Sequence, residues 1–212
     1  MLDFNRIYLY RMTHIGNIPH ILANGITHIA SANANTNYVA IGDGSLINRR
    51  NEITLANGRS LGDYIPFYFD GRMPMLLVVQ NGTNGVKSTL PQDIVYCISS
   101  VAKIIECQLD YLFTDGHAVA SFSSIFDPAH INNIDQLVDF NAVRVRYWKN
   151  DYDLDLKRRK EAEFLVGSDI PVQAIVGYVV FNEAVKQQLL SMGIPEAKIY
   201  ICLLYTSDAA DE

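Results

Sequence analysis

Glu161 and Glu163 stand two apart in Arg158-Arg159-Lys160-Glu161-Ala162-Glu163-Phe164-Leu165-Val166, between a basic run and an apolar one. If residues 161–166 are extended, successive side chains alternate faces. Glu161, Glu163 and Leu165 then share one face, and Ala162, Phe164 and Val166 the other. Two carboxylates on one strand face, anchored by a buried opposite face, would form a catalytic ledge for acid–base work. The plain alternative is an edge strand with solvated glutamates.

Other residues could serve such a ledge. Residues 144–160 hold seven Lys or Arg (Arg144, Arg146, Lys149, Lys157, Arg158, Arg159, Lys160) against three Asp, with Tyr147, Trp148 and Tyr152 interleaved. Cations pair with phosphates and rings stack on bases, so this composition suits a single-stranded nucleic acid, with a solvated helix face as the alternative. In Asp63-Tyr64-Ile65-Pro66-Phe67-Tyr68-Phe69, residues 64, 66 and 68 face away from 65, 67 and 69. One face is core; the other is either core as well or a surface for a planar ring. Arg11 and Thr13 share a face of the first strand, as a surface pair or as a polar pair at the mouth of a cleft. His14, His20 and His28 lack the carboxylate partners and spacing of a metal site. Phosphate-loop, dinucleotide-fingerprint and nucleophile-elbow motifs are all missing.

The elements that must position these groups fit a chain of 212 residues with 49% apolar content, enough for one substantial core. The net charge of −6 argues against wrapping duplex DNA. Cys97, Cys107 and Cys202 form no paired motif and suit a reducing compartment. Neither a leader-like start nor an apolar run near about 18 residues is evident, so a soluble cytoplasmic protein without a membrane segment is expected.

Arg6 to Thr13 reads as a strand, and Asn17 as a cap for a short helix that Asn24-Gly25 ends. Residues 31–37 read as a polar loop and residues 41–62 as a long, weakly structured functional loop holding Asn48-Arg49-Arg50-Asn51. Residues 73–79 suit a short helix or a strand. Strands follow at 93–98 and 111–113, with a Ser-capped helix at 99–106 between them. Helical stretches are expected within 123–138, a continuous apolar strand at 174–181, a helix capped by Asn182, and a last strand from Lys198. Mixed elements without a βαβ rhythm favour an α+β fold. The tail from Cys202 to Glu212 is similar to a translated sequencing adapter. The expected division is therefore one domain over 1–201 and a non-native tail over 202–212, with the natural C-terminus missing.

Five ordered blocks carry a resemblance: Tyr10-Arg11-Met12-Thr13-His14-Ile15-Gly16-Asn17-Ile18; Asn48-Arg49-Arg50-Asn51; Leu61 to Phe69 with Arg72-Met73-Pro74-Met75-Leu76; Phe113-Thr114-Asp115-Gly116-His117-Ala118; and Glu161 to Val166. Together, over about Ile7 to Ile201, the chain resembles the DarT family of DNA ADP-ribosyltransferase toxins from bacterial toxin–antitoxin modules. Arg11 stands where many members carry His, Gly62 where His is usual, and Glu161 where Gln is common.

The resemblance implies an ADP-ribosyltransferase-like fold of two small packed sheets with flanking helices and an NAD cleft. It implies transfer of ADP-ribose from NAD, as co-substrate and without a metal, to a thymine base in single-stranded DNA. The modified base blocks replication, and a macrodomain antitoxin, a DNA ADP-ribosyl glycohydrolase, reverses it. On that footing Glu163 and Arg50 are catalytic. Arg11, Thr13 and Asn17 line the cofactor side, and Tyr68 stacks near nicotinamide. His117, Arg158 and Arg159 face DNA, with Trp148 available for stacking. The chemistry suits these residues, because breaking the nicotinamide–ribose bond builds positive charge that a carboxylate stabilises. Two rivals remain at this stage. Glu161-Ala162-Glu163 also fits an arginine-directed protein mono-ADP-ribosyltransferase, and the basic aromatic stretch fits a non-catalytic nucleic-acid-binding module.

Overall fold

The structure is a computed structural model and describes residues 2–202. Its strands are β1 (Tyr8–His14), β2 (Ile65–Tyr68), β3 (Ile94–Ser100), β4 (Tyr111–Thr114), β5 (Ile125–Phe126), β6 (Glu163–Val166), β7 (Gly177–Val180) and β8 (Ile199–Ile201). They hydrogen-bond in the order β5-β4-β6-β2-β1-β3-β7-β8, antiparallel except for β7 beside β8. β1 and β3 pair from Tyr8↔Ser100 to His14↔Ile94, whereas β1 and β2 meet in one registered pair, Tyr10↔Tyr68. The two small sheets expected are thus halves of one ladder, joined at a single rung.

Aromatic and branched residues dominate β1, β2, β3 and β7, as a half-buried pleated surface favours. Around the sheet lie α1 (Ile18–Asn24), α2 (Gly44–Glu52), α3 (Pro74–Asn81), α4 (Val101–Glu106), α5 (Ile134–Leu137), α6 (Phe140–Arg144), α7 (Leu156–Lys160) and α8 (Glu183–Ser191). The caps are local and readable. The Ser100 hydroxyl accepts the Lys103 amide at 3.2 Å, and the Asn182 side chain accepts the Val185 amide at 3.0 Å. Residues 73–79 resolve as a helix, and the apolar run at 174–181 is a strand only over Gly177–Val180. A short strand, β5, lies within the region expected to be helical, ahead of a 3₁₀ turn and α5.

Residues 41–62 differ from expectation. They contain the nine-residue α2, started by Asp43, whose carboxylate accepts the Ser45 amide at 2.8 Å. Arg49 and Arg50 end this helix, where positive charge complements the macrodipole. A Cβ at Gly62 would lie 1.8 Å from the Asn51 side-chain oxygen, so the missing side chain lets the turn before β2 close on α2.

One sheet face carries the main core, with Leu9, Phe67, Val95, Cys97, Phe113, Phe164 and Val166 packed under helices that include α1, α4 and α8. The opposite face is divided. Tyr96, Ile94 and Ile98 pack with Leu76 and Val79 of α3 in one half. Leu165 packs with Leu55, Leu61 and Tyr64 in the other. Glu163 lies on this divided face, because its register partner is Tyr68 while that of Phe164 is Phe67.

Candidate active site

β6 is an interior strand between β4 and β2, and Glu163 is fully buried at its start. That overturns the solvated-edge alternative. It also corrects the two-carboxylate ledge. Glu161 ends α7 with φ −88° and ψ 23°, so it is outside the strand and does not alternate with Glu163. Helix propagation through the basic run carries the chain past Glu161 before extension begins.

Burying Glu163 requires donors, since an unpaired buried carboxylate is costly. Arg50, on α2, donates from Nη1 to Oε2 at 2.7 Å. The Ala118 amide donates to Oε1 at 2.9 Å, and His117 Nε2 lies 3.8 Å from the same oxygen. The Glu163 amide donates to Thr114 Oγ1 at 2.9 Å, and the Thr114 hydroxyl donates to the Gly116 carbonyl at 2.6 Å. The Phe113–Ala118 block is therefore a cradle for Glu163. A Cβ on Gly116 would meet the Arg158 carbonyl at 2.9 Å and its Nη1 at 2.4 Å, so glycine permits this close turn.

Arg50 is only 12% exposed at its side chain, and its Nη2 is buried without a hydrogen-bond partner among the described residues. A buried, unpartnered cationic donor beside a carboxylate fits an anionic ligand oxygen such as a dinucleotide phosphate. Tyr68 lies across the ladder from Glu163. Burial above all, then the charges of Glu163 and Glu161, push its hydroxyl well above the usual phenol range, so it stays a neutral donor. Burial pulls the His117 pKa below its ordinary value and outweighs the attraction of Glu163, so the ring is neutral at pH 7. Glu161 moves the other way. Burial raises its pKa to about 7, and the Glu163 charge adds to the rise.

The cofactor-side residues divide. Arg11 crosses the sheet seam, donating from Nη1 to the Pro66 carbonyl at 3.0 Å. Thr13 and Asn17 are buried. The Asn17 amide nitrogen donates to Thr13 Oγ1 at 3.0 Å and the Val39 carbonyl at 2.9 Å, and its oxygen accepts the Val39 amide at 2.8 Å. These two residues hold the 35–39 loop in place and are turned inward to it.

The residues expected to face DNA are differently placed. His117 stays at the site. Arg158 pairs with Asp155 at 2.6 Å and Asp115 at 2.9 Å, and Asp155 above all holds its pKa up. Arg159 pairs with Asp139, Asp153 and Asp155. Both guanidinium groups are thus occupied by carboxylates of the same chain. Trp148 is half-buried over the Lys160 ammonium, 5.6 Å from the ring centroid. Lys160 itself is fully buried and donates to the Val143 and Val145 carbonyls at 2.8 Å each. Grooves of about 500 Å³ beside Tyr8 and Tyr200, and of about 980 Å³ beside Asp70 and Arg144, are not lined by Glu163, Arg50 or His117.

A buried glutamate held by an arginine and a backbone amide, one strand from the seam between the two half-sheets, offers fixed negative charge to a cation that develops during reaction. A family model described as "ssDNA thymidine ADP-ribosyltransferase, DarT" matches residues 10–201, and the chain belongs to that family. Among relatives, a DNA ADP-ribosyl transferase of Escherichia coli O127:H6 is 30% identical over 191 residues, 89% of this chain and 86% of that one. A DNA ADP-ribosyl transferase–DNA ADP-ribosyl glycohydrolase fusion protein of Thermosipho africanus is 33% identical over 184 residues, 85% of this chain and 44% of the fusion. The fold is similar to Thermus sp. 2.9 DarT in complex with ADP-ribosylated ssDNA, with TM-score 0.81 and 26% identity over 94% of this chain and 95% of that one. It is similar also to Thermus sp. 2.9 DarT in complex with NAD+, with TM-score 0.76 and 25% identity, covering 94% and 96% of the two chains.

Proposed function

We propose that Glu163, clamped by Arg50 and the Ala118 amide, is the group around which this chain transfers ADP-ribose from NAD to a thymine base in single-stranded DNA. The observation that carries this is the fully buried Glu163 carboxylate with the unpartnered Arg50 Nη2 beside it. NAD supplies the ADP-ribosyl group and nicotinamide as the leaving group. Glu163 offers fixed negative charge where positive charge builds on the sugar, in a site already desolvated. Arg50 fixes the carboxylate rotamer and keeps one donor for an anionic oxygen, either a phosphate or the thymine ring as its proton leaves. Tyr68 supplies an aromatic face and a neutral hydroxyl for nicotinamide. Arg11 lines the cofactor side directly, while Thr13 and Asn17 shape it through the 35–39 loop. His117, neutral, faces the acceptor base.

The arginine-directed alternative draws on a glutamate two residues before the catalytic one, a spacing that Glu161 keeps at the end of α7, and the match to a single-stranded DNA thymidine ADP-ribosyltransferase model favours the DNA-directed reading over it. Against a merely DNA-binding module stands the match over residues 10–201 to a transferase family, with the stranded Arg50 donor beside Glu163. Among the described residues no helix is long and apolar enough to cross a membrane. We infer that the activity belongs in the cytoplasm, where single-stranded DNA and NAD meet, with a macrodomain antitoxin of DNA ADP-ribosyl glycohydrolase activity as the partner that reverses it. The glycohydrolase half of the Thermosipho africanus fusion supports that pairing.

Oligonucleotides with and without thymine, single- and double-stranded, incubated with NAD and analysed by mass spectrometry, test the assignment. Added ADP-ribose on the single strand with thymine, accompanied by nicotinamide release, is expected. Equal modification without thymine, or preference for duplex, would overturn it.

A further inference from the structure

We infer that the DNA strand is held by Arg49, Lys157 and Phe122, which form a cationic and aromatic rim on the His117 side of Glu163. This rests on the DNA-directed reading above and names the surface that serves it.

Phe122 is 87% exposed. The loop that presents it is firmly held at its root. Ser123 Oγ donates to the His117 carbonyl at 2.8 Å, the Ser123 amide to the Ala120 carbonyl at 3.0 Å, and the Ser124 amide to Asp115 at 2.8 Å. Arg158 Nη1 bridges Asp115 and Ser123 Oγ. The root is continuous with His117 and Ala118, which touch Glu163. A bare ring on a rigid loop is poorly explained by packing and well explained by stacking, for which every base has a face.

Arg49 and Lys157 are exposed, and neither makes an ion pair or a side-chain hydrogen bond among the described residues. Arg49 precedes Arg50 on α2, so it flanks the arginine that holds Glu163. Lys157 precedes Arg158, whose carbonyl accepts the His117 amide at 2.9 Å. The charges of Arg50, Lys157 and Arg49 all bear on the His117 ring. Exposed cations from α2 and α7 that both act on His117, with the bare ring of Phe122 on the loop after it, fit phosphates flanking one presented base. Arg158 and Arg159 buttress this rim and have no free charge to offer a phosphate, and Trp148 already covers Lys160.

The test uses the full chain, a thymine-containing single-stranded oligonucleotide and NAD, with KM for the oligonucleotide followed across salt concentrations. Arg49→Ala and Lys157→Ala should each raise KM and shallow the log–log salt dependence of affinity by about 0.7 per lost contact. Phe122→Ala should raise KM at least about fivefold without altering that slope, and Phe122→Trp should restore it. Lys157 and Phe122 are exposed, so unchanged melting temperatures accompany their effects, and Arg49→Ala, which also removes a charge from the last turn of α2, should lower the melting temperature only slightly. A wild-type protein that modifies thymine while all three variants keep its KM and slope would overturn the inference and leave the function standing. A wild-type protein that does not modify the strand would overturn both.

Discussion

Arg50 reaches Glu163 from a helix 113 residues earlier in the chain, gives one guanidinium nitrogen to its carboxylate at 2.7 Å, and leaves the other without a partner. A purely structural ion pair in so dry a place would have no reason to strand a donor, since each unsatisfied buried donor costs about 1–3 kcal/mol.

Glu163→Gln should retain the fold and lose the reaction. The amide keeps an oxygen for Ala118 but not the negative charge. Removing such stabilisation costs about 2.7–4 kcal/mol in the barrier, or roughly a hundred- to a thousandfold in kcat. Nicotinamide release and oligonucleotide mass, set beside a melting curve, measure it. Turnover near wild type would remove Glu163 from the mechanism. Glu163→Ala is a harsher change, because it leaves Arg50 buried and unpaired, typically at about 3–5 kcal/mol of stability.

Arg50→Lys separates charge from geometry. An ammonium can still pair with Glu163 but lacks the second nitrogen of the fork. The variant should remain folded and lose most transfer. Full activity with unchanged KM for NAD would show that the stranded nitrogen binds nothing.

Glu161→Gln should stabilise the protein, and only at higher pH. The folded-state pKa of Glu161 is raised from 4.5 to about 7 by burial. A raised carboxylate pKa means that stability is fully present below about pH 4.5 and declines as pH climbs through about 7. Wild type and variant should therefore melt together near pH 4.5 and separate by a few degrees, roughly, above pH 7. Equal melting temperatures at pH 8 would show that Glu161 is fully solvated.

Lys160→Met should strand the Val143 and Val145 carbonyls that the ammonium now serves. Each buried acceptor left unpaired costs about 1–3 kcal/mol. Trp148 is the single tryptophan of the chain, so its fluorescence reports on this site without interference. A lower melting temperature with a shifted emission maximum is expected; an unchanged spectrum would show that Trp148 does not rest on Lys160.

Much of this was legible in the chain. The strand at residues 8–14, the Asn182 and Ser-capped helices and the turn at Asn24-Gly25 follow from local rules, and the structure shows them near the expected bounds. Four things were not. α2 hides because its weak apolar pattern gives little periodicity, although Asp43-Gly44-Ser45 held a usable cap signal. The end of α7 at Glu161 is set by tertiary packing, so residue spacing alone suggested a strand-face pair. The destination of Arg158 and Arg159 depends on carboxylates as distant in sequence as Asp115 and Asp139, which no local composition reveals. The Ala118 amide was missed for another reason: a backbone donor has no residue type to announce it.

The single rung at Tyr10 and Tyr68 makes the molecule mechanically uneven. Every other neighbouring pair in the sheet is laced by two rungs or more, and this line is bridged by the Arg11–Pro66 hydrogen bond and by the core that Leu9 and Phe67 share. Arg50, Thr114 and Ala118 cradle Glu163 on one side of it, while Thr13, Asn17 and Val39 are locked together on the other. Tilting one plate against the other changes the aperture between these groups and disturbs neither group internally. The Glu163 clamp therefore owes nothing to the hydrogen bonds that fix the 35–39 loop, and each half of the site keeps its own geometry.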